Sequence, residues 1–257
     1  MVRGLYSAWT GMKTEQKRLD VIANNIANAS TLGYKKSSVT NQSFDDVLTV
    51  KIKDQSSRGV TQNIGTMNLG VKLGQEYTDH GQGSFRETGN SLDFSIEGRG
   101  FFAINRVDSD NLGETFYTRA GAFNLDSNGN LVDGDGNFLL GQNGAITIPN
   151  SAGEIAVSND GIIFVDGQAI DQILVVDFEN YESLEKVGDT MYRPTETSVE
   201  TTSDYYIHQG YTEQSNVSVV REMVDMISVT RAYEANQKVI QTIDGTLDLA
   251  SNSVGRI

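Results

Sequence analysis

The chain has 257 residues, enough for one large domain or two modest ones with a buried core. It contains no cysteine, which excludes disulfides, thiolate metal sites and cysteine nucleophiles. Residues 1–60 carry nine Lys and Arg against five Asp and Glu, whereas residues 61–210 carry seven against twenty-three. Such an acidic middle argues against a nucleic-acid partner, because nucleic acids bind surfaces rich in Lys and Arg.

Two further classes of protein are disfavoured. The only histidines, His80 and His208, lie far apart in sequence, which leaves little material for a histidine zinc site or a Ser-His-Asp triad. The N-terminus has no continuous apolar segment, and no stretch approaches the roughly 20 apolar residues of a membrane span. We therefore expect no cleaved signal peptide and no direct membrane insertion.

The first predicted element is an amphipathic helix over residues 2–28. Large apolar side chains recur every seven residues at Leu5, Met12, Leu19 and Ile26. A row of this kind on a polar helix is typical of a coiled-coil seam. Gly33 follows, and a glycine there suits a left-handed exit from the helix.

Residues 36–80 are polar and of mixed charge, and they predict a connector or extended segment that includes the run Gln55-Ser56-Ser57. The apolar residues within Phe44–Val50 are compatible with a short helix, which we expect at that position.

Residues 81–210 change to the pattern of β-strands. Leu92, Phe94 and Ile96 alternate with polar residues, and short apolar runs continue at near-regular spacing. Asx-Gly pairs such as Asn128-Gly129 and Asp160-Gly161 separate the runs and are typical of hairpin turns. This segment predicts an antiparallel β domain.

Two motifs in the β region invite a chemical interpretation. Gly98-Arg99-Gly100-Phe101-Phe102-Ala103 fits a loose dinucleotide-loop pattern, but a strand follows it where the pyrophosphate would need a helix. Asp133-Gly134-Asp135-Gly136-Asn137 hints at a calcium loop, but the later positions required of an EF-hand hold the wrong residues. Both are interpreted as turns, and we expect no enzyme activity, no cofactor and no metal.

Residues 216–254 predict a second long helix, which Ser215 or Asn216 can cap. Its apolar stripe contains Val217, Val220, Val224, Ile227, Ile240, Ile243 and Leu247. Tyr233 helps to carry the stripe, but the segment Arg231-Ala232-Tyr233-Glu234 lies where aliphatic residues would be expected. A polar residue in a coiled-coil seam can fix the register between subunits. Periodicity leaves two alternatives open: helices that pair and order fully with neighbouring subunits, or a helical subdomain within one chain.

The combined pattern predicts an α+β protein, in which an antiparallel all-β central domain is flanked by N- and C-terminal amphipathic helices that pair as a coiled coil. The predicted domains are a terminal helical domain from residues 1–35 and 211–257, a connector at 36–80, and a β-rich domain at 81–210.

Four short segments resemble the flagellar basal-body rod and hook proteins. The first is Ala23-Asn24-Asn25-Ile26-Ala27-Asn28, which continues to Gly33-Tyr34-Lys35. The second begins at Thr88-Gly89-Asn90 and runs to Gly98, Gly100, Phe101 and Phe102, and the third contains Arg119 and Gly121. The fourth begins at Ser215-Asn216-Val217 and continues to Arg231-Ala232-Tyr233-Glu234.

The resemblance is strongest to the distal rod members of that family and implies a non-enzymatic structural subunit. Such a subunit polymerises through its terminal helices into a tube that transmits torque from motor to hook and surrounds the export channel. The implied partners are other copies of the chain, other rod and hook proteins, and the flagellar type III export apparatus. The implied location is the basal body, crossing the envelope outside the cytoplasmic membrane.

The residues expected at the assembly interface belong to the two terminal helices. They are Leu5, Met12, Leu19, Ile26, Val217, Val220, Val224, Ile227, Arg231, Tyr233, Ile240, Ile243 and Leu247. The alternative function is a secreted β-domain binding module, an adhesin or a glycan-binding protein with helical tails. The only tryptophan, Trp9, lies in a predicted helix, which weakens the case for a glycan-stacking surface on the β domain.

Overall fold

The computed structural model describes residues 2–51, 62–106, 113–149 and 153–254. The predicted run Gln55-Ser56-Ser57 lies outside these ranges. Helix α1 spans Val2–Ala27 and helix α2 spans Val219–Val254. No helix of the described ranges combines the length and the apolar character that a membrane crossing requires.

The segment between the two helices forms short strands. They are β1 (Ser37–Ser43), β2 (Val47–Lys51), β3 (Gln62–Met67), β4 (Val71–Thr78), β5 (Phe85–Glu87), β6 (Phe94–Gly98), β7 (Phe101–Arg106), β8 (Glu114–Thr118), β9 (Asn124–Leu125), β10 (Leu131–Val132), β11 (Phe138–Gly141), β12 (Gly144–Ala145), β13 (Ile155–Val157), β14 (Ile162–Val165), β15 (Gln168–Gln172), β16 (Val175–Phe178), β17 (Leu184–Val187), β18 (Met191–Pro194), β19 (Glu200–Thr201), β20 (Tyr205–Gln209) and β21 (Tyr211–Glu213). A 3-10 turn at Tyr181–Ser183 precedes β17.

The chain divides into two compact units. Unit 1 contains the described residues of Met1–Ile26, Ser37–Tyr77 and Val219–Ile257, and unit 2 contains those of Ala27–Lys36 and Thr78–Ser218. The predicted fold class is confirmed, because α1 and α2 contact each other and the sequence between them forms an antiparallel β domain.

Unit 1 combines the helix pair with two small sheets. Strand β1 pairs with β4, and β2 pairs with β3 in antiparallel register from Val47 opposite Met67 to Lys51 opposite Gln62. The short helix expected at Phe44–Val50 is therefore wrong, because these residues lead into and form β2. A run rich in β-branched residues favours a strand, and one or two helical turns are too short to be stable alone.

Unit 2 is built around β7, which lies inside the largest sheet of the described residues. The strand order of that sheet is β17-β18-β8-β7-β11-β10-β9, with β12 joined to β11 and β16 joined to β7 and β19. Side chains alternate across β7, so that Phe102 and Ile104 enter one buried cluster while Phe101 and Ala103 enter another. The alternation places apolar side chains on both faces of this strand.

One turn geometry recurs three times in unit 2, at residues 126–130, 133–137 and 158–162. In each, the first residue's N–H donates to the fifth residue's carbonyl, and the fourth residue's N–H donates back to the first carbonyl. The fourth residue is Gly129, Gly136 or Gly161, with φ of 86°, 86° and 82°, a backbone conformation that glycine adopts without a steric cost. The hairpin turns predicted at these positions are confirmed.

Candidate assembly site

The helix pair of unit 1 has a single antiparallel register. A Cβ added at Gly4 would lie 3.4 Å from Ile243 Cδ1, and one added at Gly11 would lie 3.0 Å from Asn236 Nδ2. Asn25 Nδ2 donates to the Glu222 carboxylate at 3.1 Å. The position on α1 rises from 4 to 11 to 25 as the position on α2 falls by the same steps, so the register is unchanged along the pair.

Small side chains allow this close approach. Gly4, Ala8 and Gly11 follow one another at the spacing of a heptad, and Ala8 is 6% exposed. Adjacent helices with bulky side chains at such positions would have to separate, because interaxial distance depends on the side chains at the contact. Even a methyl group at Gly11 would require Asn236 to shift, because its Cβ would lie 3.0 Å from Asn236 Nδ2.

Asn25 makes a two-point contact with the backbone at the start of β1. Its Nδ2 donates to the Ser37 carbonyl at 2.8 Å, and the Ser37 N–H donates to Asn25 Oδ1 at 3.0 Å. Both Asn25 and Glu222 are 1% exposed. Only an amide offers a donor and an acceptor side by side, so Asn25 can serve the Ser37 backbone and the buried Glu222 together.

The residues predicted for the assembly interface fall into two groups. Half-buried members are Leu5, Met12, Leu19, Ile26, Val217, Tyr233, Ile240 and Ile243. Exposed members are Val220, Val224, Ile227, Arg231 and Leu247. The predicted row on α1 therefore lies beside the line of Gly4, Ala8 and Gly11, and its role in assembly stays a prediction.

In unit 2 the chain that follows the first helix is fixed at Gly33. This residue has φ of 68°, and its N–H donates to the Glu213 carbonyl at 2.8 Å. An added Cβ would lie 2.3 Å from the Ala120 nitrogen, which no side chain can tolerate. The left-handed backbone predicted here is confirmed, and close contact with β-domain backbone is a second reason for glycine.

Lys35 and Arg119 converge on the carboxylate of Glu213. Lys35 Nζ forms an ion pair with Glu213 Oε1, and Arg119 Nη1 lies 3.2 Å from Glu213 Oε2. The side chains of all three residues are at most 5% exposed. Burial lowers the pKa of Lys35, and the attraction of Glu213 opposes that shift.

Lys35 and Arg119 also donate hydrogen bonds to backbone carbonyls close to Glu213. Lys35 Nζ donates to the Gly81 carbonyl at 2.8 Å, and Arg119 donates to the carbonyls of Ile96 and Gly98 at 3.2 and 2.7 Å. Charge-assisted hydrogen bonds of this kind offset part of the cost of removing the charges from water. The cluster thereby ties the segment after α1, the end of β6 and the end of β21 to one another.

Asn216 holds the same region from the C-terminal side. Its Oδ1 accepts from the Lys36 N–H at 2.8 Å, and its Nδ2 donates to the carbonyls of Asp79 and Gly81 at 2.8 and 3.1 Å. The prediction that Ser215 or Asn216 could cap the second helix is wrong, since α2 begins only at Val219 and the Asn216 amide is engaged elsewhere.

His80 packs among aromatic rings beside this cluster. Its ring centroid lies 5.7 Å from that of Phe101, 4.9 Å from that of Tyr181 and 5.1 Å from that of Tyr192. Burial lowers the pKa of His80 to about 4, and the positive charges of Lys35 and Arg119 add to that shift. His80 is therefore neutral at neutral pH.

The other residues of the four segments that resemble rod and hook proteins have separate structural roles. Asn28 Nδ2 donates to Asp189 Oδ1 at 3.3 Å, Asn24 is exposed on α1, and Tyr34 is buried with Lys186 Nζ 4.1 Å from its ring centroid. Gly98 and Gly100 have φ of 103° and 116° in the turn between β6 and β7. A Cβ at Gly121 would lie 1.7 Å from the Phe94 carbonyl oxygen. Strand β7 follows Gly98–Gly100, so no helix N-terminus lies where a dinucleotide loop would need one.

Sequence reasoning missed Glu213, Glu222 and the packing of His80. Glu213 carried one usable signal, because it is the only Asp, Glu, Lys or Arg between Asp204 and Arg221. An isolated acidic residue just before a helix is a candidate for an ion pair with a Lys or Arg elsewhere in the chain. The partners lie 94 and 178 residues away, so periodicity gives no answer.

The comparisons with known proteins agree with this architecture. Family profiles described as "Flagella basal body rod protein", "Flagellar hook protein FlgE/F/G D1 domain" and "Flagellar basal body rod FlgEFG protein C-terminal" match residues 5–35, 95–165 and 208–253. The flagellar basal-body rod protein FlgG of Bacillus subtilis is 38% identical over 264 residues, which cover 96% of this chain and 97% of that protein.

Two further relatives extend the comparison. FlgG of Agrobacterium fabrum is 36% identical over 271 residues, covering 98% of this chain and 100% of its own. The flagellar hook-basal body complex protein FlhO of Bacillus subtilis is 28% identical over 277 residues, covering 100% of both chains. The chain belongs to the FlgG family of distal rod proteins, which are structural proteins of the flagellar basal body and not enzymes.

Proposed function

We propose that this chain polymerises with copies of itself through its terminal helical domain, residues 1–35 and 211–257, to build the tubular distal rod. The rod transmits torque from motor to hook and surrounds the export channel. Other rod proteins and the hook protein adjoin it, and the flagellar type III apparatus exports the chain without cleavage of a signal peptide. The β-rich domain at residues 81–210 is the outer domain of the subunit.

One observation carries this proposal. Both helices expose large apolar side chains although they already pair with each other, among them Tyr6, Trp9, Val220, Val224 and Ile227 at 48–74% exposure. Contiguous exposed apolar side chains on a soluble protein mark surfaces that bind another macromolecule. The acidic sequence of residues 61–210 supports the same function, since like charge keeps free copies soluble before assembly.

The test replaces Leu19 by aspartate in the full-length chain. Leu19 is half-buried on α1, in the row proposed for the interface, and Lys17 is exposed on the same helix, so Lys17→Asp is the matched control. Placing a carboxylate in an apolar contact costs several kcal/mol, and each 1.4 kcal/mol is about tenfold in association. We expect Leu19→Asp to lose sedimentable polymer while parent and Lys17→Asp form it.

Two readings accompany the sedimentation assay. Near-UV circular dichroism should show that unit 2 stays folded in Leu19→Asp, and hydrogen exchange should show that α1 and α2 gain protection when the parent chain assembles. A Leu19→Asp chain that polymerises as well as the control contradicts the proposal, and so does a parent chain whose helices are fully protected without assembling.

A further inference from the structure

Helix α2 carries a compact apolar surface on its first turns, which we call the outer patch. Its members are Val219, Val220, Met223, Val224 and Ile227, at 37–74% exposure. At 3.6 residues per turn they occupy an arc of roughly 140°. Arg231, Glu234 and Lys238 continue the same side of the helix, so the apolar surface ends after Ile227.

A second apolar surface lies on α1 and is smaller. Tyr6 and Trp9 are 55% and 48% exposed, and helical geometry puts them roughly 140–200° around α1 from the line of Gly4 and Gly11 that faces α2. Lys13 lies on this outer side as well, with its Nζ 5.5 Å from the Trp9 ring centroid. The aromatic pair therefore points away from the helix that α1 already contacts.

We propose that the outer patch of one copy binds the Tyr6–Trp9 surface of α1 in a second copy. This inference rests on the proposed polymerising function and specifies which surfaces meet. Within the described part of unit 1, both surfaces remain exposed after the two helices have paired, so each is available to another molecule. Flat aromatic rings against branched aliphatic side chains form a well-packed contact.

Charge favours a second copy as the occupant. Helix α1 carries four basic and two acidic residues, whereas α2 carries three basic and five acidic residues. Lys13 adjoins Trp9 on the outer side of α1. The two helices are thus opposite in net charge, which favours contact between α1 of one copy and α2 of another.

The two surfaces differ, so the contact is heterologous. Each bound copy still presents one unused surface of each kind, and such a contact propagates as a ring or a helical filament instead of closing as a dimer. Five aliphatic side chains bury far less than the about 1,200–2,000 Å² of a stable pairwise interface. A single contact is accordingly weak, and it becomes effective when an array of neighbours repeats it.

Cysteine cross-linking tests the pairing, because the parent chain has no cysteine of its own. Full-length Trp9→Cys and Val224→Cys chains are mixed under polymerising conditions and oxidised, and disulfide-linked dimers are identified by mass spectrometry. A disulfide requires Cβ atoms roughly 3.5–4.5 Å apart, so only adjacent positions link efficiently. Glu234→Cys mixed with Trp9→Cys is the control, because Glu234 lies on the same side of α2 beyond the patch.

We expect the Trp9→Cys and Val224→Cys mixture to give at least about tenfold more mixed disulfide than the control mixture. Tyr6→Cys replaces Trp9→Cys if the latter fails to fold, and Val224→Asp in an otherwise unchanged chain should lose polymer while keeping its helical circular dichroism. Polymer that forms without the mixed disulfide overturns the inference and leaves the proposed function intact.

Other outcomes identify other occupants. A Val224→Cys chain that links mainly to itself shows a symmetric contact, and one that links in isolated rods only to a different rod protein assigns the patch to that protein; either result overturns the inference. If the parent chain itself forms no polymer with copies of itself, the proposed function fails first.

Discussion

The substitution His80→Phe should flatten the acid-dependent loss of stability of unit 2. His80 lies among the rings of Phe101, Tyr181 and Tyr192, and phenylalanine keeps an aromatic ring in that place without a titratable nitrogen. The charged groups that act on His80 are Lys35, Arg119 and Lys186, which disfavour a second positive charge, and Asp79, which favours it.

The size and sign of the effect follow from the pKa of His80. Folding lowers it from 6.5 to about 4, so as pH falls below 6.5 the unfolded chain binds a proton that the folded chain does not. The free energy of unfolding therefore decreases with falling pH across this window and levels off below about pH 4. At about 1.4 kcal/mol per unit, the loss is at most about 3 kcal/mol, and partial exposure reduces it.

Urea unfolding of the full-length chain at about pH 7.5 and about pH 4.5 measures this loss. Near-UV circular dichroism of tyrosine follows unit 2, which holds seven of the ten tyrosines, while fluorescence of Trp9 follows unit 1. Carboxylates also titrate in this range, so the informative quantity is the difference between parent and variant. His208→Phe, at a half-exposed residue beside Glu97, shows what replacing an imidazole by a phenyl ring does outside the aromatic cluster.

We expect His80→Phe to lose about 2 kcal/mol less than the parent between these two pH values. A lower absolute stability of His80→Phe does not bear on the result, because the readout is the dependence on pH. Equal pH dependence of the parent and His80→Phe would refute the assignment of this acid sensitivity to the buried imidazole.

The ion cluster and the Asn25 contact give two further predictions. Glu213→Gln should destabilise unit 2 by about 3–5 kcal/mol in urea unfolding, because it leaves buried cations without their carboxylate. Glu185→Gln, at an exposed ion pair, should change the stability little. Asn25→Asp removes the donor to Glu222 and places a second carboxylate beside the buried Glu222. It should therefore speed hydrogen exchange at the end of α1 much more than Asn24→Asp does at an exposed position. Equal effects of the two variants would contradict the contact between Asn25 and Glu222.

The β unit was predictable because its signals are local. Alternation of side chains at Phe94 and Ile96 fixes a strand, and an Asx-Gly pair such as Asn128-Gly129 fixes the turn that follows. The pairing of distant strands is different. Strand β16 joins β7 and β20 joins β6, and no local pattern in the sequence identifies those partners.

The register of the helix pair was harder to predict for a physical reason. Apolar periodicity gives weight to large side chains, so it selected the row of Leu5 and Met12 as the seam. The positions that face α2 instead include Gly4 and Gly11, which contribute little to an apolar pattern and leave room for Ile243 and Asn236 of α2. A seam built on small residues is therefore displaced from the row that hydrophobicity predicts.

The resemblance to rod proteins helped most where residues act within the chain. Asn25, Gly33, Lys35, Arg119 and Gly121 all belong to the quoted motifs, and each is engaged by contacts inside its own unit. A buried side chain that already has its partners cannot also bind a neighbouring molecule, so these motif positions explain the fold of the subunit and not its association. The surfaces that can join copies must be sought among exposed side chains outside such contacts, and this is the physical reason for assigning assembly to the outer patch and the aromatic pair on α1.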